Sequence, residues 1–337
     1  MTLETFSNTM LPAIEDELQQ VVARVKISGL EELYFMLAYH LGWEGEGAGL
    51  EARGKRLRPL FVLLTTSAAG GTWERALPAA AAVELVHNFS LIHDDIEDNS
   101  PLRRGRPTLW TKWGVAQAIN AGDSMFTLAH QSVLRLEQTT YPIIALQAAR
   151  ILGEACLQLT QGQYLDLSYE ARRNLNLEAY WPMVSGKTAS LLAACTEMGA
   201  LVGEARPDAR SAYRQFGHSL GLAFQAQDDL LGIWGDAALT GKSAESDLLS
   251  GKKSLPVLCG LSQNGLFARR WMEGPVTAEE VPMLAAQLES EGARAEAQQH
   301  ANHLTDQALQ ALEQANPSGA AGQALRTLSR KLLQRQG

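Results

Sequence analysis

The sequence predicts an all-α fold organised as a single domain, and three observations carry that prediction. Alanine and leucine dominate the 337 residues, and apolar side chains recur with a helical period. No run of alternating β-branched residues reads as a strand. Glycine and proline fall in short clusters that punctuate helices, and none of these is a long flexible linker. One domain is therefore expected over residues 1–337.

Taken in order, residues 5–41 read as an accessory helix pair that ends in the glycine-rich stretch Gly42–Gly54. Gly70–Gly71 closes the next helical segment, and Ser100–Pro107 closes the one containing Ala79–Asp98. Tyr141–Pro142 and Arg206–Pro207 each place a proline where a new helix can begin. Gly232–Gly251 and Asn316–Gly322 are the remaining breaks. The C-terminal segment, 277–334, reads as a peripheral helix pair, with Ala, Gln and Glu around leucines at helical spacing.

Composition then removes whole classes of function. Hydrophobic residues make up 46% and charged residues 20%, the balance of a globular chain rather than a disordered one. A net charge of −8 argues against a nucleic-acid partner. The longest unbroken apolar runs, such as Ala79–Val83 and Leu60–Leu64, are far too short for a bilayer, so no membrane span is expected. The first ten residues hold no basic cluster, and no signal peptide is expected either. Cys156, Cys195 and Cys259 are scattered among apolar neighbours, which predicts reduced thiols and a cytoplasmic location. The glycine-rich phosphate loops, the nucleophile elbow and the H-E-x-x-H zinc motif are all absent.

One helix carries chemistry. On a wheel of about 100° per residue, Asp94 and Asp98 lie about 40° apart, with His87 within about 20° of both. Carboxylates stacked one turn apart repel each other unless a cation sits between them. No lysine or arginine occurs between Arg75 and Arg103 to supply that cation, so a metal is the better explanation. Oxygen-only ligands select Mg²⁺, Mn²⁺ or Ca²⁺. The calcium-loop pattern fails here, and a di-iron bundle would need a partner for the E-x-x-H of Glu84 and His87 that no other histidine supplies. A second aspartate pair, Asp228-Asp229, ends another apolar run about 134 residues later, and two such helices suggest a common cavity. Two short basic loops, Gly54-Lys55-Arg56-Leu57-Arg58-Pro59 and Pro101–Pro107 with its three arginines, sit beside helix ends. Arginine forks and point-charge lysines suit phosphate. Carboxylates, a divalent cation and two basic loops together predict two substrates bound through diphosphates.

These residues resemble a known family. The ordered set GKRLRP (54–59), HNFSLIHDDIEDNSPLRRGRPT (87–108), GQYLDL (162–167), GKTASL (186–191), FQAQDDLLG (224–232) and GKKSLP (251–256) is similar to that of the trans-isoprenyl (polyprenyl) diphosphate synthases, in their short-chain, farnesyl- and geranylgeranyl-forming branch. The resemblance spans residues 50–260, a catalytic core. It implies antiparallel helices around a deep central cavity, a homodimer, and Mg²⁺-dependent joining of isopentenyl diphosphate to dimethylallyl, geranyl or farnesyl diphosphate. It also implies three Mg²⁺ per active site, with Mn²⁺ as a substitute.

Carried over by position, Asp94 and Asp98 resemble metal ligands supported by Asp95, and Asp228 resembles the third metal ligand with Asp229 beside it. Lys55, Arg58, His87 and Arg104 resemble the isopentenyl diphosphate site. Arg103, Lys187, Thr188, Gln225, Lys242 and Lys252 resemble the groups that hold the allylic diphosphate. The growing chain is expected beside the first carboxylate helix, with Phe89 and small Ser90 as the chain-length gate, and a geranylgeranyl (C20) product with some farnesyl (C15). One position departs from the pattern. The second motif usually reads DDxxD, yet Gly232 stands at its fifth place, which leaves Asp236 as a substitute carboxylate and predicts surviving activity. A terpene cyclase or head-to-head synthase of this fold, or a non-catalytic subunit of a heteromeric synthase, are the rival functions.

Overall fold

Apolar residues at helical spacing build the first helix, α1 (Leu3–Val22), whose start is closed by Thr2 and Thr5 in a reciprocal cap. Helix α2 (Glu31–His40) follows. A single turn, α3 (Leu50–Arg53), leads into α4 (Leu57–Ala68). The carboxylate helix is α5 (Leu77–Glu97), with Pro78 in its first turn, where a missing N–H costs nothing. The structure is a computed structural model that describes residues 1–172, 175–235 and 246–333.

The arginine loop after α5 folds into a minimal antiparallel hairpin, β1 (Leu102–Arg103) paired with β2 (Arg106–Pro107). Arg104 and Gly105 turn it with positive φ of 51° and 73°. Sequence periodicity could not reveal strands of two residues. Beyond it come α6 (Leu109–Leu134), α7 (Pro142–Glu170), α8 (Leu177–Val184), α9 (Ser190–Val202) and α10 (Pro207–Trp234). A π-helical turn, Ser185–Ala189, joins α8 to α9. The remainder is α11 (Ser246–Ser250), α12 (Leu255–Ser262), α13 (Leu266–Glu273), α14 (Val281–Ser290), α15 (Ala293–Ala315) and α16 (Gly319–Leu333). The C-terminal segment thus holds three helices rather than the expected pair, because Gly292 breaks it at φ 89°. The fold is all-α, as expected.

The chain forms two compact units. The first comprises Met1–Glu154, Ala194–Arg210 and Pro317–Leu325. Its core is the α5–α6 pair, with α4 and α1 packed on α5, and α5 buries the run Pro78–Val86 almost completely. The second comprises Ala155–Ala193, Ser211–Asn316 and Arg326–Gly337. Within it α12 packs on α15, α13 and α8.

Burial pushes the thiol of Cys156 up to about 11 and those of Cys195 and Cys259 up to about 12. All three are free and buried, so they stay protonated and serve as core atoms. Helix α7 is, among the described residues, long and apolar enough by length and composition to cross a membrane, a match that packed helices also give. Unbroken apolar runs missed it because Gln147, Arg150, Glu154 and Gln158 interrupt the stretch.

Candidate active site

The first unit brings the two basic loops together. Arg104 Nη1 donates to the Ala52 carbonyl at 2.8 Å, so the hairpin arginine lies beside the turn that carries Lys55. Lys55 is exposed, while the Arg58 Nε is buried and makes no hydrogen bond within the protein. An orphaned guanidinium N–H is costly unless an anion arrives to accept it. His87 sits in the same field. Burial, then the cations of Arg58, Arg104 and Arg103, hold its pKa well below the usual imidazole value, so it is neutral at pH 7.

A second imidazole faces these arginines. His40, at the end of α2, is likewise held well below its ordinary value by burial and by Arg103, Arg104, Arg56 and Arg106. It lines a cleft with Asp95, Arg103 and Arg104. Nothing in the sequence singled it out, since a lone histidine closing an apolar helix has no motif around it. The two histidines give a pH prediction with a definite sign. Their folded pKa values lie below the unfolded 6.5, so below pH 6.5 the unfolded chain binds more protons and folding loses stability. Thermal melts between pH 7.5 and 5.5 are expected to show a falling midpoint, with a shallower fall in His87→Asn. An equal slope in the two proteins would contradict the burial of a neutral His87.

The aspartates of the first motif divide their labour. Asp94 is half-buried, and Asp98, one turn on, is exposed at the C-cap of α5. Asp95 is only 2% exposed and accepts from Arg103 Nε at 2.8 and 3.0 Å. Burial raises its pKa, and Arg103 offsets part of that rise. Asp95 is thus an anchor for Arg103.

The second unit repeats the division. Asp228 is half-buried, whereas Asp229 is 1% exposed and saturated. Asp229 accepts from Tyr180 at 2.7 Å, Gln225 at 2.9 Å and the Leu255 amide at 2.9 Å, with Lys252 Nζ at 3.4 Å. Thr188 Oγ1 donates to Gln225 Oε1 at 3.0 Å, which ties the π-turn to the same chain. Lys187, on that turn, pairs with Asp166 at 2.5 Å. Gln225 and Lys252 thus contact the buried Asp229 carboxylate directly, Thr188 joins it through Gln225, and Lys187 pairs with a different carboxylate, Asp166. Tyr180, absent from the sequence reading, is the hydroxyl that helps to hold it.

Gly162 and Gly186 explain why two of the motifs begin with glycine. A Cβ on Gly162 would lie 2.1 Å from the Lys187 nitrogen, and one on Gly186 would lie 2.5 Å from the Gln158 carbonyl. The backbones of α7 and the π-turn touch there. Burial would lower the Lys252 pKa, but Asp229, Asp247 and Asp228 outweigh it and raise the value, fixing the ammonium charge.

Gly232 lies inside a helix rather than at a helix break. Helix α10 runs through it, and a Cβ there would sit 2.5 Å from Asp247 Oδ2. The carboxylate of Asp247, from α11, fills the space, and it reaches Lys252 at 3.6 Å. Asp236 and Lys242 lie outside the described residues. Gly232→Asp must displace Asp247, an overpacking cost of about 1–3 kcal/mol, and the cost is expected to shrink by at least half in an Asp247→Ala background. Thermal unfolding of the four proteins in that cycle measures it; simply additive losses would contradict the shared space.

Phe89 does not hang free. Its ring packs against Phe126 of α6 at 4.9 Å and His93 at 4.8 Å, and Phe126 makes a tilted contact with His130 at 4.4 Å. Ser90 is buried, its hydroxyl donating to the His87 carbonyl at 2.9 Å. Glu84, whose spacing to His87 raised the di-iron pattern, instead accepts from Arg56 at 2.8 Å.

Among the described residues no group of three or more His, Cys, Asp or Glu side chains is arranged to hold a metal ion alone. Asp94 and Asp98 fit a hard cation that completes its shell with phosphate oxygens and water, the usual habit of Mg²⁺.

Residues 48–280 match the polyprenyl synthetase family. The chain belongs to that family. It is 42% identical over 285 residues to a (2E,6E)-farnesyl diphosphate synthase of Mycobacterium tuberculosis, covering 80% of this chain and 78% of the relative. It is 39% identical over 303 residues to a geranylgeranyl diphosphate synthase of the same organism, covering 88% and 85%. A polyprenyl synthetase from Streptomyces coelicolor A3(2) superposes with a TM-score of 0.87 at 35% identity, covering 98% of both chains. As a member of the family the protein is a prenyltransferase of the short-chain, all-α class.

Proposed function

We propose that this polyprenyl synthetase joins dimethylallyl, geranyl or farnesyl diphosphate to isopentenyl diphosphate, giving mainly geranylgeranyl diphosphate with some farnesyl diphosphate. The supporting observation is the cation cluster of the first unit, where Arg58 keeps a buried unpaired N–H beside neutral His87 and Arg104. A site that held only one allylic diphosphate would have no use for it. Lys55, Arg58, His87 and Arg104 bind isopentenyl diphosphate through its diphosphate. Arg103, Lys187, Thr188, Gln225 and Lys252 hold the allylic diphosphate.

Three Mg²⁺ ions bound by Asp94, Asp98 and Asp228 would neutralise the leaving diphosphate, with Mn²⁺ able to replace them. The fixed lysine and arginine charges add to that neutralisation in a water-poor site. The allylic C–O bond breaks with its electron pair on the diphosphate, the alkene attacks the carbocation, and the departing diphosphate takes the proton lost. No side-chain base is needed for that step.

The three buried free thiols support a cytoplasmic location. A homodimer is supported by exposed apolar residues on α6 and the start of α7, with Val115 at 47%, Ile119 at 41%, Ile143 at 57% and Leu146 at 45%. Sedimentation is expected to give twice the 36.6 kDa chain mass, and a single-chain mass would contradict the dimer. The reaction itself is tested by incubating the protein with Mg²⁺, isopentenyl diphosphate and each allylic diphosphate. Mass analysis is expected to find prenyl diphosphates lengthened by whole isoprene units; a hydrocarbon product would indicate a cyclase, and no product a non-catalytic subunit.

A further inference from the structure

The accessory helix α1 reaches the diphosphate loop through one carboxylate. Glu15 Oε1 accepts from Arg56 Nε at 2.6 Å, and Glu15 Oε2 accepts from the Trp43 indole at 2.7 Å. Arg56 is only 4% exposed and has two further partners, Glu84 of α5 at 2.8 Å and the Leu41 carbonyl at 3.1 Å. Glu84 is fixed in turn by Asn88 Nδ2 at 3.0 Å. One guanidinium therefore ties α1, the end of α2 and α5 to the N-cap of α4.

The backbone gives this tie a purpose. Arg56 adopts the left-handed conformation, φ 46° and ψ 38°, which an arginine does not favour unless something holds it there. Lys55 and Arg58 flank it, one exposed and one with a buried N–H that lacks a partner. The direction in which both point follows from the turn at Arg56. We propose that Glu15 is a positioning residue for isopentenyl diphosphate: it locks Arg56 in the left-handed turn that aims Lys55 and Arg58, and so gives the N-terminal helix a role in substrate binding. This rests on the proposed assignment of Lys55 and Arg58 to that substrate.

Charge and geometry oppose each other when Glu15 is removed. Losing an anion would raise the positive potential of the loop and favour a diphosphate. Glu84 remains to neutralise Arg56 at 2.8 Å, however, so the charge of the buried guanidinium stays compensated while its Nε loses its acceptor. Geometry dominates, and binding weakens.

Calorimetric titration of the full-length protein with isopentenyl diphosphate and, separately, farnesyl diphosphate tests this. Glu15→Ala is expected to weaken isopentenyl diphosphate binding about tenfold and farnesyl diphosphate binding less than about twofold, the size expected for a misplaced binding group. Glu15→Gln keeps an acceptor for Arg56 and should stay within about threefold of the parent, and Trp43→Phe, which leaves the Arg56 pairing intact, within about twofold. A folded Glu15→Ala protein with parental affinity, or with both ligands weakened equally, would overturn the inference. If that variant does not fold, Arg56→Lys decides the matter, because an ammonium keeps the charge but cannot span three acceptors. It should weaken isopentenyl diphosphate selectively, and parental binding would overturn the inference. A parent protein that binds no isopentenyl diphosphate would instead overturn the proposed function, and this inference with it.

Discussion

Asp94→Ala and Asp228→Ala each lower turnover by about 10³-fold or more, about 4 kcal/mol of barrier at the usual 1.36 kcal/mol per tenfold, while the fold survives. The two aspartates earn this prediction by being the less buried members of their pairs. Asp95 and Asp229 are buried and already committed to protein donors, whereas Asp94 and Asp228 are half-buried. Removing Asp94 also removes its repulsion with Asp98 one turn away, so the apo thermal midpoint should hold or rise. Asp229→Ala is expected to behave oppositely, with a lowered midpoint, because the Tyr180 hydroxyl and the Leu255 amide lose their buried acceptor. Steady-state kinetics at saturating Mg²⁺ and melts without metal separate the cases. Near-normal turnover in Asp94→Ala or Asp228→Ala would contradict the metal assignment.

Phe89→Ala shifts the main product from C20 to C25 or longer. A helical turn rises about 5.4 Å, close to one extended isoprene unit, so on the proposed path the ring of Phe89, five residues before Asp94, is expected to limit the length of chain that fits alongside α5. Below it Val86, Leu85 and Ala82 offer no comparable bulk. Phe126 lies against the Phe89 ring and itself contacts His130, so it is expected to act as a second barrier. A larger shift is therefore expected in the Phe89→Ala/Phe126→Ala double variant than in either single one. Chromatography of the dephosphorylated products measures both. An unchanged distribution in Phe89→Ala with a shift in Phe126→Ala would move the gate to α6.

The sequence made some of this legible and hid the rest for physical reasons. Helix ends at Ala68, Glu97 and Ala315 fall where glycine or proline clusters announced them, because backbone restrictions act locally. The Asp94–Asp98 stripe was legible from periodicity alone. Gly232 was misleading as a break. Its missing side chain answers to Asp247 on another helix, a packing relation that no local pattern encodes. Glu84 looked like half of a metal motif until Arg56 appeared as its partner. That pairing and the one from Glu15 join segments 28 and 41 residues apart, so neither could be read from spacing. The hairpin at Leu102–Pro107 is too short for any periodicity to declare it.

In the proposed reaction, ionisation of the allylic diphosphate is productive only when isopentenyl diphosphate supplies the attacking alkene. Inorganic diphosphate release from farnesyl diphosphate with Mg²⁺, in the presence and absence of isopentenyl diphosphate, measures that dependence. Release is expected to depend on isopentenyl diphosphate and to match the new carbon–carbon bonds one for one. Release without the second substrate, or none with it, would contradict the account.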